Sequence, residues 1–143
     1  MSTAWVKRSA SPAETEALAA ALAPDLKAGD VILLAGALGA GKTCFTRGLA
    51  QGLGADGAQV LSPSFSLVRE LTGGRLSLQH VDLYRLQGPQ EMEALGLEEL
   101  FDGDGVCVVE WPERLGALAP KGAWKIELSL GADGSREIRC QRP

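Results

Sequence analysis

Eight consecutive residues, Gly36-Ala37-Leu38-Gly39-Ala40-Gly41-Lys42-Thr43, fit G-x-x-x-x-G-K-[ST] at every fixed position. This is phosphate chemistry. Backbone N–H groups can replace the water around a triphosphate only where the chain wraps it closely. Side chains obstruct such a wrap, so Gly36, Gly39 and Gly41 are small and free to take positive φ. The N–H groups then form an anion nest that runs into a helix N-terminus. Lys42 brings a cation to the β- and γ-phosphates, and the Thr43 hydroxyl is suited to Mg²⁺. Neighbours in the same stretch, Leu38, Ala40 and Cys44, are expected along the bound nucleotide.

A P-loop needs a second acid at the tip of a neighbouring strand, to hold Mg²⁺ directly or through water. Two residues qualify. Glu110 follows Val106-Cys107-Val108-Val109, an apolar run with the shape of a Walker B strand. Asp82 follows Leu78-Gln79-His80-Val81, a less apolar run. Lys42, Asp82 and Glu110 are therefore the candidate catalytic residues, and Thr43, Glu110 and Asp82 the candidate metal ligands. Glu110 is assigned mainly to the metal, and Asp82 to the metal waters and the attacking water. Trp111 follows Glu110 directly. It belongs either at the edge of the nucleotide site or in plain packing against Pro112. His80 by itself reads more readily as a structural histidine than as a catalytic one.

These residues need a scaffold, and the pattern supplies one. Val31 to Leu34 is apolar throughout, as a buried parallel strand is. Phe45, Leu49 and Leu53 then recur at helical spacing, so strand, glycine loop and helix stand in order. Upstream, Trp5-Val6-Lys7 suits a short strand. Ser11-Pro12-Ala13-Glu14 has an N-cap, a first-turn proline and a capping-box acid. The helix that follows should pack through Leu18 and Leu22 and stop at Pro24.

Downstream, Gly73-Gly74 marks a hairpin between residues 65–71 and 75–83. In the second arm Leu76, Leu78, His80 and Asp82 alternate with Ser77, Gln79, Val81 and Leu83. Residues 89–95 and 97–101 read as two short helices joined at Gly96. Residues 125–130 and 136–140 flank an Asp133-Gly134 turn, a second hairpin. The fold class expected is α/β: a P-loop NTPase-like three-layer sandwich, a mixed central sheet and a C-terminal antiparallel hairpin, all one domain over 1–143.

Composition narrows the partners. The net charge is −4 and the basic residues are scattered, which disfavours tight nucleic-acid binding by this chain alone. No apolar run approaches the ~20 residues of a membrane span. The first residues lack the order of a signal peptide. Cys44, Cys107 and Cys140 show no C-x-x-C, so reduced thiols in cytoplasm are expected.

Four stretches, residues 36–43, Ser62-Pro63-Ser64-Phe65-Ser66-Leu67, His80-Val81-Asp82-Leu83-Tyr84-Arg85 and Glu110-Trp111-Pro112, resemble the TsaE (YjeE) family in order and spacing. The resemblance extends over most of the chain to about Pro120; the last hairpin matches only in kind. It implies a small bacterial cytoplasmic ATPase, using ATP and Mg²⁺, needed for threonylcarbamoylation of adenosine 37 in ANN-decoding tRNAs. The family acts with TsaD and TsaB, so tRNA would be met only through those partners, and a separate enzyme makes the threonylcarbamoyl-adenylate donor. By resemblance Lys42 and Thr43 hold phosphate and Mg²⁺, Glu110 assists at the metal, and Asp82 lies near the metal or the attacking water. Ser62 to Ser66 resembles a switch loop that senses nucleotide state. The family usually has Thr where this chain has Ser64 and Ser66, so the hydroxyls persist and the methyl groups do not.

Two other functions compete. A small-molecule kinase would share the P-loop, but no lid insertion follows it here. A nucleotide-gated binding module would need little turnover, and two metal-edge acids argue against it. Slow turnover acting as a timer and raised by partners fits the first reading. No arginine is marked as a finger; Arg85 is the best choice in cis, and a partner could supply one in trans.

Overall fold

The computed structural model describes residues 4–37, 39–56 and 68–143. Its strands are β1 (Ala4–Ser9), β2 (Val31–Ala35), β3 (Val68–Leu71), β4 (Leu78–Asp82), β5 (Val106–Glu110), β6 (Trp124–Leu130) and β7 (Arg136–Gln141). The α-helices are α1 (Pro12–Leu22), α2 (Lys42–Gly52), α3 (Pro89–Ala94) and α4 (Leu97–Phe101), with 3₁₀ turns at Ala23–Asp25 and Pro112–Leu118.

All seven strands form one sheet in the order β1-β7-β6-β2-β5-β4-β3. β6, β2, β5 and β4 run parallel, while β1–β7, β7–β6 and β3–β4 pair antiparallel. The sheet is therefore mixed, with the P-loop strand β2 at its centre between β6 and β5. One face carries α1 and α2 over Ile32, Leu34, Val108, Ile126 and Leu128. The other packs Met92 of α3 and Leu97 of α4 with Val81, Leu83, Cys107 and Val109. This is an α/β three-layer arrangement.

α1 starts as its sequence dictates. Ser11 accepts a hydrogen bond from the Glu14 N–H at 3.1 Å, and Glu14 accepts one from the Ala10 N–H at 2.7 Å. Its buried residues are Thr15, Ala19 and Leu22, with Leu18 only half-buried. Pro24 does not end the helical path at once; it suits the first turn of the 3₁₀ segment that follows. α1 lies close on α2 because Gly48 and Gly52 carry no side chain. A Cβ on Gly48 would stand 2.3 Å from the Glu16 carbonyl oxygen, and one on Gly52 2.7 Å from that of Ala20.

β4 departs from simple alternation. Leu78, Gln79, His80 and Val81 are all buried, because helices cover both faces of an interior strand. The hairpin at Gly73-Gly74 is present as β3 and β4; residues 65–67 of its first arm lie outside the described residues.

Candidate functional site

β2 delivers the chain to its C-terminal edge, where the glycine loop turns it into α2. Gly36, Gly39 and Gly41 have φ of 151°, 80° and 104°. For Gly36 a close approach adds to this: a Cβ would meet the Leu128 carbonyl oxygen at 2.6 Å. Gly41 caps α2 in the left-handed region, and its carbonyl accepts from the Phe45 N–H at 2.9 Å. The first residues of α2 are Lys42, Thr43 and Cys44, so their N–H groups lie in the first turn, where a helix leaves its donors unpaired.

β4 and β5 end beside this loop. Asp82 and Glu110 are register partners on adjacent parallel strands. The Leu83 N–H donates to the Glu110 carbonyl at 3.2 Å, which ties the two strand ends together. A cavity of about 340 Å³ opens between the loop and these tips. Gly39, Gly41, Lys42, Thr43 and Cys44 line one side; Asp82, Tyr84, Glu110 and Trp111 line the other; Arg136 closes it from β7. A larger concavity of about 530 Å³ lies over the sheet face that includes Val6, Lys125 and Arg139. No residue of the glycine loop lines it, so size does not identify the site.

Lys42 is only 5 % exposed, and among the described residues its buried Nζ has no hydrogen-bond partner. It lies 3.7 Å from the centroid of the Trp111 ring. Burial pulls its pKa below the usual lysine value, against the opposing pull of the Glu110, Asp82 and Glu113 carboxylates. Such an ammonium is suited to an anion.

Glu110 is 5 % exposed, and its Oε2 contacts Nε2 of His80, itself 4 % exposed. Asp82 is less buried, and its Oδ1 accepts from the Tyr84 N–H at 3.0 Å. Trp111 takes φ 59° and ψ 51°, alone among described non-glycine residues in having positive φ. Trp111 takes this left-handed conformation directly before Pro112 and lines the cavity. Tyr84 packs on the ring, with centroids 5.0 Å apart.

The donor set fits Mg²⁺. It consists of hard oxygens: the Thr43 hydroxyl and the Asp82 and Glu110 carboxylates. Among the described residues no group of three or more His, Cys, Asp or Glu could hold a metal unaided. Phosphate and water oxygens would have to complete its coordination, as is usual for Mg²⁺ at nucleotide sites.

Of the residues singled out in the sequence, Gly39, Gly41, Lys42, Thr43, Cys44, Asp82, Glu110 and Trp111 meet at this cavity. Gly36 and Ala40 shape the loop without lining the cavity, and Ala40 is buried. Leu38 and Ser62 to Ser66 lie outside the described residues. Arg85 is exposed and does not line the cavity.

Arg136 was not foreseen. It donates to the Gly39 carbonyl at 3.1 Å and the Gly134 carbonyl at 2.8 Å. Chain separation hides it, since nothing near Arg136 marks a phosphate site. His80 was legible in part, two residues before Asp82 on the same strand face. A second cavity of about 200 Å³, lined by Ser9, Ser11, Thr15 and Gly134 among others, shares Gly41, Cys44 and Arg136 with the first.

The family model described as "Threonylcarbamoyl adenosine biosynthesis protein TsaE" matches residues 9–138. The tRNA threonylcarbamoyladenosine biosynthesis protein TsaE of Bacillus subtilis (strain 168) is 44 % identical over 131 residues, covering 92 % of this chain and 81 % of that protein. The protein of the same name from Treponema pallidum (strain Nichols) is 46 % identical over 113 residues, covering 79 % and 82 %. The crystal structure of Bacillus subtilis YdiB is similar with a TM-score of 0.82 and 37 % identity, over 99 % of this chain and 87 % of that one. A glycine loop set against two strand-tip acids is thus embedded in a chain whose sequence matches over residues 9–138 and whose fold matches over 99 % of its length, and the chain belongs to the TsaE family.

Proposed function

We propose that this chain binds ATP with Mg²⁺ in the cavity between the glycine loop and the tips of β4 and β5, and hydrolyses it in the service of tRNA threonylcarbamoylation. The observation that carries the reading is the buried Lys42 ammonium. Among the described residues it has no hydrogen-bond partner, and it shares one cavity with Thr43, Asp82 and Glu110. The family and the names of the relatives support the pathway.

Mg²⁺, when bound, neutralises charge on the phosphates. The chain's own residues do the rest. The loop N–H groups and Lys42 hold the phosphates and stabilise charge that develops as the γ-phosphoryl group leaves ADP. Thr43 and Glu110 hold the metal. His80 fixes the Glu110 carboxylate in one orientation. Asp82 orients the attacking water. Arg136, with its head at the loop, supplies a second cation in cis. The nucleoside end is assigned to the adjoining cavity at Ser9, Ser11 and Thr15, which shares Gly41, Cys44 and Arg136 with the phosphate site.

The partners are TsaD and TsaB, and tRNA is met through them, since a chain of net charge −4 offers little to a polyanion. The experiment is capture of TsaD and TsaB on this chain with ATP or ADP present. Capture that depends on the nucleotide supports the reading. Equal capture in both states, or tight salt-sensitive tRNA binding by the chain alone, contradicts it.

A further inference from the structure

Lys42 has two carboxylates in its cavity and forms an ion pair with neither; among the described residues the Glu110 salt bridge is with His80. The ammonium instead lies 3.7 Å over the Trp111 ring, with Tyr84 packed on that ring. Trp111 holds this place in a left-handed backbone conformation that costs energy for a bulky residue, and the surrounding packing has to maintain it.

A buried cation must be compensated, and the choice of compensator matters for function. A buried carboxylate would hold Lys42 firmly, and phosphate could recruit Lys42 only by breaking that pair. The negative face of an indole compensates the charge more weakly and without direction. We infer that Trp111 is a positioning residue, a soft resting place that holds the Lys42 ammonium free of Glu110 and Asp82 until a polyphosphate arrives.

His80 is the other half of the arrangement. By engaging Glu110 on β5 it occupies one of the two carboxylates that could compete for the ammonium. The ammonium has an aromatic neighbour and the carboxylate has His80, and neither has to leave the other when nucleotide enters. This inference rests on the reading of the cavity as an ATP site, and the ligand-free arm of its first test is independent of that reading.

The first test is NMR of the ligand-free chain with ¹³C-labelled lysine. The lysines are Lys7, Lys27, Lys42, Lys121 and Lys125. Ring currents should move the Lys42 ε-signal upfield of Lys27, Lys121 and Lys125. Lys7, 4.6 Å over Trp5, should be the other shifted signal, and Lys42→Met identifies which is which. The Lys42 shift should vanish in Trp111→Leu, persist in Trp111→Phe, and collapse to the ordinary position when ATP is added to the parent. An ordinary Lys42 signal in the free chain overturns the inference while leaving ATP hydrolysis intact. So does a shifted signal that saturating ATP, with its binding measured on the same sample, does not move, since Trp111 would then be a fixed platform.

The second test is ATP affinity in EDTA. Without the ring Lys42 falls onto a carboxylate, so Trp111→Leu should bind about three- to tenfold more weakly, the range of a cation–π contact. Removing the charge of Glu110 or Asp82 should raise affinity more in that background than the same change does in the parent, because there it also abolishes the competing pair. For a simple lost contact to nucleotide the carboxylate change would have the same effect in both backgrounds. Parent-like binding by Trp111→Leu overturns the inference, as does a gain from Glu110→Gln and from Asp82→Asn that is no larger there than in the parent.

Discussion

Asp82 and Glu110 face one another in register at the ends of two parallel strands, yet their surroundings differ. Glu110 is buried and engaged by His80, while Asp82 is more open and accepts from the Tyr84 N–H. A fixed carboxylate suits a metal. A less constrained one suits water that must be aligned during reaction.

That difference separates two variants. Glu110→Gln should raise the Mg²⁺ concentration for half-maximal phosphate release. Asp82→Asn should lower the maximal rate with a smaller change in Mg²⁺ demand, since a transition-state role shows in turnover. The pair shares one cluster, so the effects should not add. Rescue of Asp82→Asn, and not of Glu110→Gln, by excess Mg²⁺ would reverse the assignment.

His80→Ala leaves the Glu110 carboxylate buried without its donor. The expected cost is about 1–3 kcal/mol in denaturant unfolding, together with a raised Mg²⁺ requirement. His80→Gln retains a donor and should recover part of both. A Mg²⁺ titration that matches the parent in His80→Ala would remove His80 from the metal edge.

Arg136→Ala should weaken ATP binding about tenfold, the loss of one charge-assisted hydrogen bond of ~1.5 kcal/mol. Arg85→Ala, which alters an exposed side chain away from the cavity, should bind ATP as the parent does. Equilibrium binding of a fluorescent ATP analogue distinguishes them. The reverse ranking would return the cis arginine to Arg85.

Gly48→Ala improves helix propensity by up to ~1 kcal/mol. In this chain it should nonetheless destabilise by about 1–3 kcal/mol, because the new methyl meets the Glu16 backbone of α1. Urea unfolding of parent and variant decides the sign.

The thiols divide by burial. Cys107 and Cys140 are pushed up to about 12 and about 11 by desolvation, whereas Cys44 is half-buried at the cavity. Near neutral pH a maleimide should label Cys44 alone, and ATP should slow it. The folded chain keeps two thiol protons that the unfolded chain sheds above about 9, so these groups lower stability as pH rises toward 11–12. Rapid native labelling of Cys107 would contradict the packing of β5.

The strand, loop and helix around Lys42 were legible because local rules coincide there: an apolar run, glycines at fixed spacing, then helical periodicity. Ser11 and Glu14 were legible for the same reason, as a cap is a short-range device. The C-terminal hairpin could be read as a pair of strands, but not its place. β6 joins the sheet parallel to β2, pairing Ile32 with Trp124, and no local feature records so distant a partner. Arg136 at Gly39 and His80 at Glu110 were missed alike, because both contacts exist only after the strands are ordered. The 3₁₀ segment after Trp111 was hidden because Pro112 reads equally as a turn or a helix start.

The central claim is that Lys42 is the cation that engages the nucleotide, and Lys42→Ala tests it most directly. Phosphate release and ATP binding should be measured together on parent and variant, with circular dichroism and thermal unfolding to show that the fold survives. The account predicts loss of hydrolysis and much weakened binding in a folded chain. Phosphate release at the parent rate from Lys42→Ala would contradict it.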